Sequence, residues 1–136
     1  MTSALTEQDL ILVTGASGYL STHVIKQLLE SGLRCRGTVR SLTNKSKVDP
    51  LRALVKNAKY ELELVEADLL DESSWIAAVK DCTHVIHTAS PVPSHVPEQE
   101  NEVILPALNG VLNVFRACVQ EGSKVKRVAL TSSMVN

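Results

Sequence analysis

Thr14-Gly15-Ala16-Ser17-Gly18-Tyr19-Leu20-Ser21 follows directly on the aliphatic run Leu10-Ile11-Leu12-Val13 and leads into an amphipathic stretch. Four consecutive aliphatics read as a strand buried on both faces. From Tyr19 to Glu30, Leu20, Val24 and Leu28 recur at helical spacing, with Ile25 and Leu29 on the flank, and Ser31-Gly32 closes the helix. A Gly-rich turn between a strand and a helix is far more specific than the same glycines alone. Gly15 permits a tight turn, and Gly18 lets an anion approach the backbone without meeting a Cβ. The helix that follows aims its free N–H groups and positive dipole end at the same point. Ser21 stands where a third glycine is usual. It is small enough to predict a slight adjustment of helix–strand packing.

Working outward, the pattern alternates. Arg34 to Val39 reads as a second strand, and a helix is expected to open at Asp49-Pro50, with Pro in its first turn. Leu62 to Val65 is a third strand, Ser73 to Val79 a short helix capped by Asp71, and His84 to His87 a fourth strand. A Pro-marked loop spans residues 90–94. A long helical pattern runs from Glu98 to Gln120, kinked near Pro106, and Val125 to Leu130 is a fifth strand. Strands and helices in strict alternation predict an α/β fold: a Rossmann-type, doubly wound parallel sheet of about five strands, with helices on both faces.

Composition agrees. The 136 residues suffice for one domain, residues 1–136, 44% are hydrophobic, and only 3% are aromatic, so the core must be aliphatic. A net charge of −1 gives no reason to expect nucleic acid or an acidic membrane as partner. Cys35, Cys82 and Cys118 form no CxxC pair and read as buried thiols in a reducing, cytoplasmic setting. MTSALTEQD lacks the features of a signal peptide, and no apolar run is expected to reach the roughly 18 residues of a membrane helix. The sequence suggests no metal ligands.

The ends of the strands carry the candidate chemistry. A site that selects NAD often closes its second strand with an acid for the ribose 2′-hydroxyl. Here the strand ends Gly37-Thr38-Val39-Arg40, and Arg40 offers a planar, permanently charged fork suited to a 2′-phosphate. A solvated surface cation and stacking of Arg40 on adenine are the other readings. Lys45 and Lys47 follow on the next loop, and Lys45 reads better as a solvated cation. After the third strand, Asp68 is placed to accept from an adenine amino group, with the Leu69 backbone beside it, although a capping role for Asp68 stays open. Thr88, Ala89 and Ser90 follow the fourth strand, where a small Ala permits close approach. His84 and His87 read as core or rim residues, and His23 and His95 as surface.

Together, VTGASGYL at Val13–Leu20, GTVR at Gly37–Arg40, ADL at Ala67–Leu69, NEV at Asn101–Val103, Pro106, HTASP at His87–Pro91 and LTSS at Leu130–Ser133 resemble the extended branch of the short-chain dehydrogenase/reductase superfamily. Within it, the chain is similar to the dihydroflavonol, anthocyanidin and cinnamoyl-CoA reductase group. The resemblance runs from Leu10 to Asn136. It implies that Gly15, Ser17, Gly18, Tyr19 and Leu20 surround a pyrophosphate, and that Arg40 and Lys47 hold the 2′-phosphate of NADP(H). It also implies that Asp68 and Leu69 contact adenine, that Thr88, Ala89 and Ser90 line the path to the nicotinamide, and that Ser133 is a catalytic serine with Ser132 beside the cofactor. Thr131, Ser132 and Ser133 as plain strand-end hydroxyls is the bland alternative.

The group's chemistry also needs a Tyr with a Lys four residues on. Tyr19 is followed at that distance by His23 and Tyr60 by Leu64, and the chain ends three residues after Ser133. The expectation is therefore the cofactor half of an NADPH-dependent oxidoreductase acting on a small-molecule carbonyl or alcohol, ending before the substrate-binding part and inactive alone. The alternatives are a non-catalytic nucleotide-binding regulatory module and an NAD-dependent epimerase/dehydratase. Without a sixth strand, the fifth is expected to be an open apolar edge through which the chain self-associates.

Overall fold

The computed structural model describes residues 4–91 and 95–133. The tail ends 1–3 and 134–136, and residues 92–94 of the expected Pro-marked loop, lie outside that description. The elements run β1 (Leu10–Val13), α1 (Tyr19–Glu30), β2 (Arg34–Val39), α2 (Lys45–Arg52), β3 (Glu63–Glu66), α3 (Glu72–Val79), β4 (His84–His87), α4 (Asn101–Val119) and β5 (Arg127–Leu130). All pairings are parallel, in the order β3-β2-β1-β4-β5. The chain builds outward from β1 to β3, then returns to the other side of β1 for β4. The crossovers therefore diverge between β1 and β4, which opens a crevice beyond their carboxyl ends.

Strand alternation divides the core in two. Ile11 and Val13 face Ile25 and Leu29 of α1 and Val48 and Leu51 of α2. Leu10, Leu12 and Val85 face Trp75, Ala78 and Val79 of α3 and Val114, Ala117 and Cys118 of α4. Trp75 is 1% exposed, and its indole N–H donates to Asp68 O at 2.7 Å. A buried indole must find such a partner. The three cysteines are buried, Cys35 in the first layer and Cys82 and Cys118 in the second. Burial pushes the Cys35 thiol up to about 12 and those of Cys82 and Cys118 to about 11.

Arg36 is the charged exception on the second face. Its guanidinium pairs with Glu63 of β3 at 2.8 Å and donates to Ala78 O and Lys80 O, covering the carbonyl end of α3. A cation there complements the helix dipole.

Several boundaries differ from the sequence reading. α2 opens at Lys45, not at Asp49-Pro50, and Pro50 lies inside it. Val48 and Leu51, three apart, both bury against the first core layer, which requires a helical turn before the proline. Lys45 and Lys47 consequently sit in the first turn of α2 rather than on a loop. β3 is shifted by one residue, and β5 starts at Arg127 rather than Val125. Asp71 caps α3 as expected, accepting from Ser73 N at 3.0 Å. α4 alters one expectation, since by length and composition it is apolar enough to cross a membrane. Gly110, Asn113, Val114, Ala117 and Cys118 are nevertheless buried on its sheet-facing side.

Candidate nucleotide-binding site

The Gly turn is held from two sides. From β2, the Thr38 hydroxyl accepts from Gly15 N at 2.9 Å and its carbonyl from Ala16 N at 2.8 Å, and within the turn Gly18 N donates to Gly15 O at 2.9 Å. From the segment after β4, Ala89 closes on Gly15: a Cβ at Gly15 would stand 3.1 Å from that of Ala89, and Gly15 has φ +64°. Only glycine meets both demands without strain. Gly37 is equally constrained, because an added Cβ would lie 2.7 Å from the Ala16 Cβ. The sequence reading gave Gly37 no such role.

Three amides of the turn are thus already used internally. The donors that remain for a ligand come from the start of α1. The first hydrogen bond of helical type there runs from Thr22 N to Gly18 O, and the amides ahead of it have no intrahelical acceptor. No acidic residue occupies the first turn of α1, and Gly18 at its N-cap makes no side-chain cap. Ser17, Gly18 and Leu20 are exposed, as is Tyr19 at 86%. This is a cradle for an anion, and it fits a pyrophosphate.

Ser21, in the place of the usual third glycine, is buried and satisfied. Its hydroxyl contacts Thr88 Oγ1 at 2.8 Å and Thr14 O at 3.4 Å. Thr88 Oγ1 donates to Thr14 O at 2.6 Å. Thr14 itself lies between β1 and β4: its hydroxyl accepts from Thr88 N and Ala89 N, each at 3.0 Å, and meets His87 Nδ1 at 2.7 Å. This buried knot ties the Gly turn to the segment after β4 across the crevice.

The other expected residues lie along the same carboxyl edge. Arg40 follows β2 and is exposed, Lys47 is exposed on α2, and Ser132 and Ser133 follow β5, also exposed. Asp68 follows β3. Its Oδ1 accepts from Leu70 N at 2.9 Å, the local turn that the capping alternative anticipated, while the residue stays exposed at the edge. Leu69 is fixed from below by Asn113, whose buried Nδ2 donates to Leu69 O at 2.8 Å, and by Gly110, against which its side chain packs. Thr14, Thr38 and Asn113 were not singled out in the sequence. Single hydroxyl or amide residues inside apolar runs were the available signal. His87 is buried and His23 and His95 are exposed, as read. Among the described residues, no group of His, Cys, Asp and Glu could hold a metal.

A parallel sheet in the order 3-2-1-4-5, with a glycine turn and an open helix start at its switch point, defines a dinucleotide-binding α/β domain. The sequence narrows the class. Residues 11–135 match the NAD dependent epimerase/dehydratase family, and the chain belongs to it. It is 42% identical over 127 residues to a bifunctional dihydroflavonol 4-reductase/flavanone 4-reductase of Malus domestica, covering 93% of this chain and 36% of that protein. It is 45% identical over 123 residues to tetraketide alpha-pyrone reductase 1 of Arabidopsis thaliana, covering 90% and 37%. Among solved structures, Gre2 of Candida albicans in complex with NADPH superposes with a TM-score of 0.77 at 32% identity, over 92% of this chain and 37% of that one. The chain thus spans little more than a third of the length of these relatives.

Proposed function

We propose that this chain binds NADP(H) across the carboxyl edge of its sheet, as the cofactor half of a reductase that interconverts a carbonyl and its alcohol. One observation carries the reading: Arg40 directly follows β2 on the same edge as the uncapped start of α1, where an acid would favour the ribose hydroxyl. The reductase relatives and the NADPH-bound neighbour support it. In this reading the amides at the start of α1 hold the pyrophosphate, and Arg40 with Lys47 holds the 2′-phosphate. Asp68 and Leu69 lie against the adenine, and Thr88, Ala89 and Ser90 line the way to the nicotinamide, with Ser132 close by. Bound NADPH would supply hydride to the carbonyl carbon. Ser133 would donate a hydrogen bond to the carbonyl oxygen and orient it. Proton delivery to that oxygen needs an acid of matched pKa, and neither Tyr19 nor Tyr60 has a Lys four residues on. The 136 residues by themselves therefore bind coenzyme without turnover.

Fluorescence titration with NADPH and NADH tests this. NADPH is expected to bind more tightly, and Arg40→Ala to weaken NADPH by roughly tenfold or more while leaving NADH alone, since a charge-assisted hydrogen bond contributes about 1.5–3 kcal/mol. Equal affinity for both, unmoved by the substitution, overturns the 2′-phosphate role. NADPH oxidation by the chain with added aldehyde or ketone would contradict binding without turnover.

A further inference from the structure

We propose that Glu66, the last residue of β3, is a positioning residue for coenzyme selection: its carboxylate fastens the loop that carries Arg40. The proposal rests on the reading of Arg40 given above. In the β2–β3 ladder Val39 is the partner of Glu66, and the two strands stay joined one step further by Ala67 N donating to Val39 O at 3.0 Å. Arg40 is the next residue after Val39, so Glu66 stands beside the point where β2 releases its chain. From there its Oε1 accepts from the backbone N–H of Leu42 at 2.7 Å. The other hydrogen bonds of residues 41–44 are local. Ser41 Oγ pairs with Thr43 Oγ1 at 2.8 Å and accepts from Thr43 N, and Thr43 O and Asn44 O accept from the first amides of α2. Local bonds shape the loop but do not fix it to the sheet. The Glu66–Leu42 bond does.

An N–H to carboxylate bond is among the stronger ones, and at 2.7 Å this one is short. An anchored loop presents Arg40 and the first turn of α2, with Lys47, in one arrangement before ligand arrives, so less ordering remains to be done on binding. NADH lacks the 2′-phosphate and draws nothing from that arrangement. The prediction is therefore a selectivity effect rather than a general loss.

The test compares NADPH and NADH dissociation constants for the wild-type chain, Glu66→Ala, Glu66→Gln and Arg40→Ala, with far-UV circular dichroism and thermal midpoints recorded for each. Glu66 is exposed, so all variants are expected to fold. Glu66→Ala should lower the NADPH-over-NADH preference about fivefold, through the NADPH constant, because the loop must then be ordered on binding. Glu66→Gln retains an oxygen acceptor for the Leu42 N–H and removes the charge, so it should keep at least the wild-type preference. An Ala variant whose preference is unchanged or raised overturns the proposal, as does a Gln variant that falls as far as Ala. Selective loss of NADH affinity in Glu66→Ala would assign the carboxylate to the ribose hydroxyls and also overturn it. Arg40→Ala separates the two levels. If it leaves the preference unmoved, the 2′-phosphate reading fails and the proposal falls with it. If it lowers the preference while Glu66→Ala does not, the role of Glu66 alone is wrong.

Discussion

The Thr14 hydroxyl has one proton and three neighbours. It accepts from two backbone amides, so its own proton is directed to His87 Nδ1. His87 is thereby held neutral, with its proton on Nε2, and that atom is buried with no hydrogen-bond partner among the described residues. Thr14→Val leaves two amides and an imidazole nitrogen unsatisfied. We expect a loss of about 1–3 kcal/mol in chemical denaturation, together with weaker coenzyme binding; Thr14→Ser should restore most of both. Burial also holds the His87 pKa below its ordinary value. The unfolded chain then takes up a proton that the folded one refuses. This contribution makes stability rise with pH up to the ordinary imidazole value of about 6.5, and acidification below that value removes it. Urea midpoints across that range should show a flatter slope in His87→Gln, and an unchanged slope would show that His87 does not titrate this way.

At the level of elements, the Gly turn depends on β2 as much as on its own residues. Gly37→Ala would drive a methyl to 2.7 Å from the Ala16 Cβ. Overpacking at such a site costs about 1–3 kcal/mol, which differential scanning calorimetry would register as a lowered Tm. A midpoint equal to wild type would mean that the turn yields freely. β1, α1, β2 and β4 fall where their apolar patterns put them, because each is buried and its periodicity is undisturbed. The start of α2 was not readable, since the proline drew it to itself while Val48 and Leu51 required a turn ahead of it. β3 shifts because an edge strand bearing Glu63 and Glu66 takes its register from β2 rather than from its own pattern. The strand-end candidates were legible for the same reason the strands were. The pairings Thr14–His87, Thr38–Gly15, Glu66–Leu42 and Asn113–Leu69 were not, because each joins residues far apart in sequence.

For the molecule as a whole, the two borders of the sheet differ. β3 is guarded by Glu63 and Glu66, whereas β5 begins with Arg127 and continues with Val128, Ala129 and Leu130, of which Ala129 and Leu130 are exposed. An exposed strand with a mainly apolar end invites pairing with another chain, and an edge charge opposes it. We propose that the 136-residue chain self-associates through β5. Light scattering should report a dimer or larger species, and Leu130→Lys should shift it toward monomer. A wild-type chain that is a stable monomer across concentrations contradicts this.

The protonated thiols give the fold an internal timer. A thiolate is needed for alkylation, and it is strongly disfavoured while Cys35 lies beneath α1 and α2 and while Cys82 and Cys118, the latter on the buried face of α4, sit in the second core layer. A brief iodoacetamide pulse followed by peptide mass analysis would therefore count how often each side of the sheet comes apart. Equal labelling rates at Cys35 and Cys118 would mean that the two halves open as one unit, and unequal rates would show which helical layer lifts away first.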